Sequence, residues 1–377
     1  MAALSTLQSA WLHLLSCALN GSQPNRALLS QISPQALYQL AGAHKMLALT
    51  AFALNRAGIH ESHFEQAKQK AKRRLALFEM ERKTIFRAFE QANLRFCPLK
   101  GILLADDYPA FGMREMSDND VLCDGARMED VKTIMQSLGY RCESYGEWHH
   151  DIYVKEPCLQ FEMHRSLFEP ERMPEYAAYY ADVFAKLQPV GGCEYRLSDE
   201  DFYIFMLAHE YKHFSHNGTG LRPLADVYVF LRAHGSMNWR YIASELSKLR
   251  LSDFESHNRT LANKIFSGAA LSEDETEQLL VFLDCSIYGS VERRDYNKMS
   301  RALGGRDDKG EKARYLFRRV FLSGEELKTN YPFFYRHKVL LPVLYVYRPI
   351  KGAIRRPGHI LREAKNTVKY KSPKHKF

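Results

Sequence analysis

Apolar positions in this chain follow one period near its ends and another in its middle. Leu4, Leu7, Trp11, Leu14 and Ala18 recur at steps of three and four, the spacing that lines one face of an α-helix. Phe64, Ala67, Ala71, Leu75, Phe78, Ile85 and Phe89 continue in threes, fours and sevens and predict a long amphipathic helix. Beyond residue 92 the apolar runs shorten to strand length. Strands are expected at 95–99, 116–123, near Tyr140, and at 151–154 and 159–164, with a helix over 126–138. Helical spacing returns at Ser198, where Asp199, Glu200 and Asp201 follow a capping hydroxyl and suit the positive end of the dipole. Helices are expected from 198 to about 214 and near 223–234, 239–249, 257–268, 272–287 and 310–322. The fold class predicted is α+β: a small mixed sheet flanked by helical regions. The divisions are a helical region 1–92, a core 93–195, a helical domain 196–350 and a basic tail 351–377.

Composition narrows the class. A chain of 377 residues, 46% hydrophobic and 26% charged, can bury a sizeable core. Seven cysteines stand apart at 17, 97, 123, 142, 158, 193 and 285. That pattern reads as reduced thiols rather than a disulfide framework or zinc ribbon, so a cytoplasmic location is expected. No basic residue precedes Arg26, and the apolar start reads as a helix of the folded protein rather than a leader. Of the formal charge of +9, about +8 sits in residues 351–377, which carry nine Lys or Arg against Glu363 alone. Such a tail can bind RNA or an anionic membrane surface, giving a peripheral association. The adjoining apolar segment 339–346 is too short to span a bilayer and contains Pro342; it can rest on a membrane surface or pack as core.

The candidate chemistry lies between Pro98 and His164. Lys100-Gly101 closes a short apolar strand and opens a helix, whose free N–H groups suit a phosphate. Asp118 and Asp120 stand two apart on the next expected strand, so both carboxylates leave one face. Glu162 lies in a third apolar run and can add another oxygen ligand. Three carboxylates on neighbouring strands suit hard, oxygen-seeking Mg²⁺, or Mn²⁺ in its place. Lys100 and Arg114 could neutralise a triphosphate, the first as a point charge and the second as a planar fork. His164 shares a strand face with Glu162 and could touch acceptor or phosphate.

Glycine at a strand–helix turn, Asp-x-Asp on the following strand and an acid on a later one resemble the DNA-polymerase-β-like nucleotidyltransferase superfamily. More narrowly, the chain is similar to a poorly characterised bacterial family of that superfamily, often encoded near surface-polysaccharide genes. The matching positions are Leu99-Lys100-Gly101, Tyr108, Arg114, Asp118 with Asp120, Gly139-Tyr140, and Glu162 with His164. Farther on, His209, His213, Arg222, Leu224 and Asp226 also match. The resemblance spans roughly residues 60 to 350. It implies metal-dependent transfer of a nucleoside monophosphate from an NTP to a hydroxyl-bearing acceptor. Asp118, Asp120 and Glu162 would be the catalytic and metal-binding residues, with Lys100, Gly101, Arg114 and His164 at the nucleotide. Two departures stand out. Ile102 follows Gly101 where a small residue is usual, and Asn119 occupies the normally apolar position between the acids.

Two other functions compete. His209-Glu210-Tyr211-Lys212-His213 is a literal H-E-x-x-H. On a helix it puts both histidines on one face for Zn²⁺, with Glu210 as general base of a metallohydrolase. The longer metzincin pattern fails, since His216 and Thr219 hold its glycine and final histidine positions. The other is a catalytically silent binding protein that keeps the fold.

Overall fold

The computed structural model describes residues 3–286 without a break, then residues 289, 296–297, 299–300, 310, 321–322, 324, 327–328, 331–345 and 347. Five helices come first: α1 (Thr6–Asn20), α2 (Arg26–Leu29), α3 (Pro34–Ala43), α4 (Leu47–Arg56) and the 30-residue α5 (Ser62–Gln91). Ser5 and Gln8 close a capping box at the start of α1, and Trp11, Leu14 and Ala18 are buried along its inner face. In α5 the buried positions are Phe64, Leu75, Phe78, Ile85 and Phe89, the stripe expected from the periodicity.

The mixed part follows as β1 (Phe96–Pro98), α6 (Gly101–Asp107), β2 (Asn119–Cys123), α7 (Met128–Ser137), β3 (Arg141–Ser144), β4 (His150–Lys155), β5 (Leu159–His164), α8 (Pro174–Tyr179), β6 (Gln188–Gly191) and β7 (Glu194–Arg196). These strands form one sheet in the order β3-β4-β5-β2-β1-β7-β6. It is mixed: β2 runs parallel to β5 and β1 to β7, and the remaining pairs are antiparallel. The fold is therefore α+β, as expected. The strand expected over 116–123 pairs only from Asn119, and the hairpin β6–β7 and helix α8 add elements that periodicity had not indicated.

One sheet face buries Phe96, Val121, Cys123, Phe161 and Met163 together with Phe78, Ile85 and Phe89 of α5 and Val131 and Met135 of α7. Each such side chain contributes roughly 1.5–3 kcal/mol through burial. Asn119 lies on this apolar face and is fully buried. Its cost is met by Arg82 of α5, which donates from Nη1 to Oδ1 at 2.8 Å.

Helices resume as α9 (Asp199–His216), α10 (Arg222–Ala233), α11 (Trp239–Lys248), α12 (Ser252–Ser267) and α13 (Glu273–Leu283). Ser198 caps α9 by accepting the Asp201 amide at 3.1 Å. By compactness the chain forms two units, Met1–Lys212 with Thr219–Ile287, and His213–Gly218 with Tyr288–Phe377. In the second, Pro332–Arg336 is helical, Val339 is 91% exposed and Leu344 is buried. The tail 351–377 and most of the expected helix 310–322 lie outside the described residues. Among the described residues no helix is long and apolar enough to cross a membrane.

The connection between α6 and β2 is fixed by one acid of α10. Asp226 accepts from Arg114 Nε at 2.8 Å on one oxygen and from Nη2 at 2.9 Å on the other. Tyr108 Oη adds a third bond at 2.8 Å. All three side chains are buried, so removing the acid strands a guanidinium inside the protein. Asp226→Ala should therefore cost about 3–5 kcal/mol in urea unfolding; a loss below about 1 kcal/mol would show that the clamp does not hold this connection.

Candidate functional site

Strand register assembles the site. Across the parallel pair, Asp120 of β2 stands opposite Glu162 of β5, and Leu122 opposite His164. Across the antiparallel pair, His164 stands opposite His150 of β4, and Ile152 opposite Glu162. Alternation sends Val121, Cys123, Phe161 and Met163 to the face covered by α5 and α7, so Asp120, Glu162, His150 and His164 share the other face. Ligand atoms of Asp120, Glu162 and His164 lie within 4.8 Å of one another. Asp118 stands half-buried just before β2, outside that group, yet close enough for its charge to be felt by Asp120, Lys100, Arg222 and Arg114.

Lys100 reaches the acids from an unusual backbone. Its φ of +48° and ψ of −116° suit glycine, and holding a side-chain-bearing residue there costs on the order of 1–3 kcal/mol. The turn aims the ammonium at Asp120, with Nζ 2.7 Å from Oδ1. His164 Nε2 meets the same oxygen at 2.8 Å. Gly101 is required by close packing: a Cβ there would stand 2.6 Å from Arg114 Nη1 and 2.9 Å from Met116 Sδ. The next two amides are already committed, Ile102 N–H to the Leu99 carbonyl and Leu103 N–H to that of Lys100. Arg114, expected as an open fork for phosphate, instead grips Asp226 with two of its nitrogens. Gly139 supplies the positive φ of the turn that follows α7, and Tyr140 donates to Glu81 Oε2 at 2.8 Å.

The electrostatics of the three acids are set by burial, by one another and by the nearby cations. Burial would raise Asp120, but Lys100 and His164 hold its carboxyl well below the usual range. Burial would likewise lower Lys100; Asp120 first, then Glu162 and Asp118, raise it instead. At Glu162 the opposing charge of Lys100 is outweighed. Burial, then the charges of Asp120 and Asp118, push it up to about 7, and Asp118 is raised by burial and by Asp120. Facing carboxylates fit a hard divalent cation, which prefers oxygen ligands. Burial lowers His149 to about 2 and His150 to about 4, so both imidazoles are neutral at physiological pH.

His149, His150 and Glu169 are neighbours that sequence reasoning missed. The signal was His164 two residues beyond Glu162 together with a Trp-His-His-Asp run, but only the β4–β5 register joins them. The H-E-x-x-H residues do lie on one helix, α9. Glu210, however, is buried in helix packing, where it accepts from Asn258 of α12 at 3.1 Å, and burial pushes it up to about 8. It is a protonated core acid, unsuited to act as a base at neutral pH. Among the described residues, the converging groups of possible metal ligands contain neither His209 nor His213.

The raised Glu162 carboxyl carries a signed pH dependence. Between pH about 4.5 and 7 the native state binds a proton that the unfolded state has released, so this group's contribution to stability falls as pH rises. The buried histidines act oppositely over part of that window, so the comparison must isolate Glu162. The stability of the wild type minus that of Glu162→Gln should fall between pH 5 and 7.5 by on the order of 2 kcal/mol, measured by urea unfolding without metal. A pH-independent difference would contradict the assignment.

The family described as uncharacterised nucleotidyltransferase matches residues 30–267. No curated protein and no solved structure matches the chain. The matched span contains the whole sheet, the facing Asp120 and Glu162, the Lys100 turn and the Asp226 clamp. The chain belongs to this nucleotidyltransferase family.

Proposed function

We propose that the protein transfers a nucleoside monophosphate from an NTP to a hydroxyl-bearing acceptor with Mg²⁺ or Mn²⁺, in the manner of the DNA-polymerase-β-like superfamily. One observation carries this reading: Asp120 and Glu162 oppose each other in register on parallel strands, with the Lys100 ammonium 2.7 Å from Asp120. Asp120, Glu162 and Asp118 would hold the metal, which supplies charge neutralisation for the triphosphate and the departing pyrophosphate. Lys100 adds a fixed positive charge toward the phosphates, and the Lys100–Gly101 turn places it. His164 orients Asp120 through its Nε2 bond. Arg114 contributes long-range positive charge from behind the site while remaining clamped to Asp226.

In the reaction the acceptor oxygen bonds to the α-phosphorus, the α–β bridge breaks, and pyrophosphate leaves with the electron pair. The hydroxyl proton passes to a base. We assign that role to Glu162, the carboxylate that stands opposite Asp120. A surface glycan precursor is a fitting acceptor, since the resemblance extends to a family encoded near polysaccharide genes. The functional division accompanying this reading is a catalytic core of 93–195 between helical regions 1–92 and 196–350, in a cytoplasmic or membrane-peripheral protein.

Asp118→Asn with Asp120→Asn should abolish Mg²⁺-dependent NTP binding, read as a thermal shift that the wild type shows and the double variant lacks. Wild-type-like binding by the variant would displace the site. No NTP binding by the wild type would favour the silent-scaffold alternative.

The basic tail 351–377 is proposed to hold a polyanion, RNA or anionic lipid, apart from the catalytic residues. Deleting 357–377 should reduce retention on RNA or anionic vesicles at low salt, where released counterions give the affinity, and spare NTP binding. Unchanged retention would leave the tail a solubility feature.

A further inference from the structure

We propose that His149, His150 and His164 form a second cation site beside the carboxylates, for a transition metal of the Zn²⁺ class. His149 lies in the turn before β4, His150 opens that strand, and His164 ends β5 directly across from it. Their ligand nitrogens lie within 4.8 Å of one another. Nitrogens sharing one tetrahedral ion at bond lengths of about 2.0–2.1 Å stand about 3.4 Å apart, a closure within reach of small ring rotations. The inference does not depend on nucleotidyl transfer.

Hydrogen bonding sets the tautomers that a metal requires. His164 Nε2 faces the Asp120 carboxylate, which can only accept, so the proton sits on Nε2 and Nδ1 carries the lone pair. That Nδ1 is buried without a partner in a side chain 97% buried, and His150 Nδ1 is buried and unpartnered as well. His149 Nδ1 lies 2.7 Å from Glu169 Oε1, which by the same reasoning turns the Nε2 lone pair outward. Glu169 is itself held by Arg172 Nε at 2.9 Å. A carboxylate behind a histidine is the arrangement that orients and strengthens imidazole ligands. Lys212 and Lys100 oppose a cation here through their charge, while Asp120, Glu162 and Glu169 offset them. Imidazole nitrogen favours Zn²⁺, Cu²⁺, Ni²⁺ or Fe²⁺ over Mg²⁺, so the two neighbouring sites would take different ions. Asp120 would serve both, as ligand to one and support to the other.

Co²⁺ added to chelator-stripped full-length protein tests the assignment. One equivalent should give the intense visible bands of a four-coordinate site, displaced by one equivalent of Zn²⁺ and not by millimolar Mg²⁺. His150→Ala should weaken Co²⁺ binding at least 100-fold. Glu169→Gln should weaken it about 10–100-fold and serves if the histidine variant fails to fold. Asp118→Asn and His209→Ala should leave it within about threefold. The proposal is overturned by the absence of visible bands, by binding that survives both His150→Ala and Glu169→Gln, or by loss in Asp118→Asn or His209→Ala. Mg²⁺-NTP binding, measured separately, reports on the carboxylate reading alone.

Discussion

The buried pair of Lys100 and Asp120 is the interaction on which the site depends. Asp120 faces Glu162 across a parallel strand pair and stands near Asp118, in a place where water cannot screen them fully. Such a cluster can persist only if part of its charge is neutralised from within. The chain provides this with an ammonium at 2.7 Å, and an imidazole N–H donates to the same oxygen at 2.8 Å. Reaching that position forces Lys100 into a backbone conformation usually left to glycine. The strain is retained because the ion pair and the close packing of Gly101 on Arg114 over-determine the turn. Glu162 is raised by its own burial first and then by the charges of Asp120 and Asp118, against which Lys100 acts more weakly.

Everything around this pair acts to hold the turn and the strand in place. The long helix α5 covers the far face of the sheet and sends Arg82 to Asn119, which is buried there. From the other side, α10 sends Asp226 to Arg114 and Tyr108. The helices that precede and follow the sheet are therefore structural parts of the site. The family match over residues 30–267 takes in these two helices, α5 and α10, together with the strands.

Much of this was legible from residue order. The buried stripe of α5 and the apolar strands followed from period, and the acids were marked as candidates by their chemistry. What stayed hidden depends on pairing between distant segments. Asn119 looked like an uncompensated polar residue because its partner Arg82 lies 37 positions away. Arg114 read as a phosphate fork because nothing local reveals Asp226, 112 positions on. His149 and His150 escaped notice since register alone carries them to His164. The H-E-x-x-H motif shows the converse: its spacing is right, but tertiary packing turns Glu210 inward against Asn258. The β6–β7 hairpin did carry a local mark, Gly191 closing β6 and Gly192 opening its two-residue turn.

The central claim is that the acids facing Lys100 bind a divalent ion together with a nucleoside triphosphate. Electron paramagnetic resonance of Mn²⁺ tests it most directly, because free and immobilised Mn²⁺ have distinct spectra. With an NTP present, wild-type protein should convert the sharp free-ion signal to a broadened bound one at about one equivalent, and Asp120→Asn should not. A spectrum that the wild type leaves unchanged, or that Asp120→Asn broadens equally, would contradict the account.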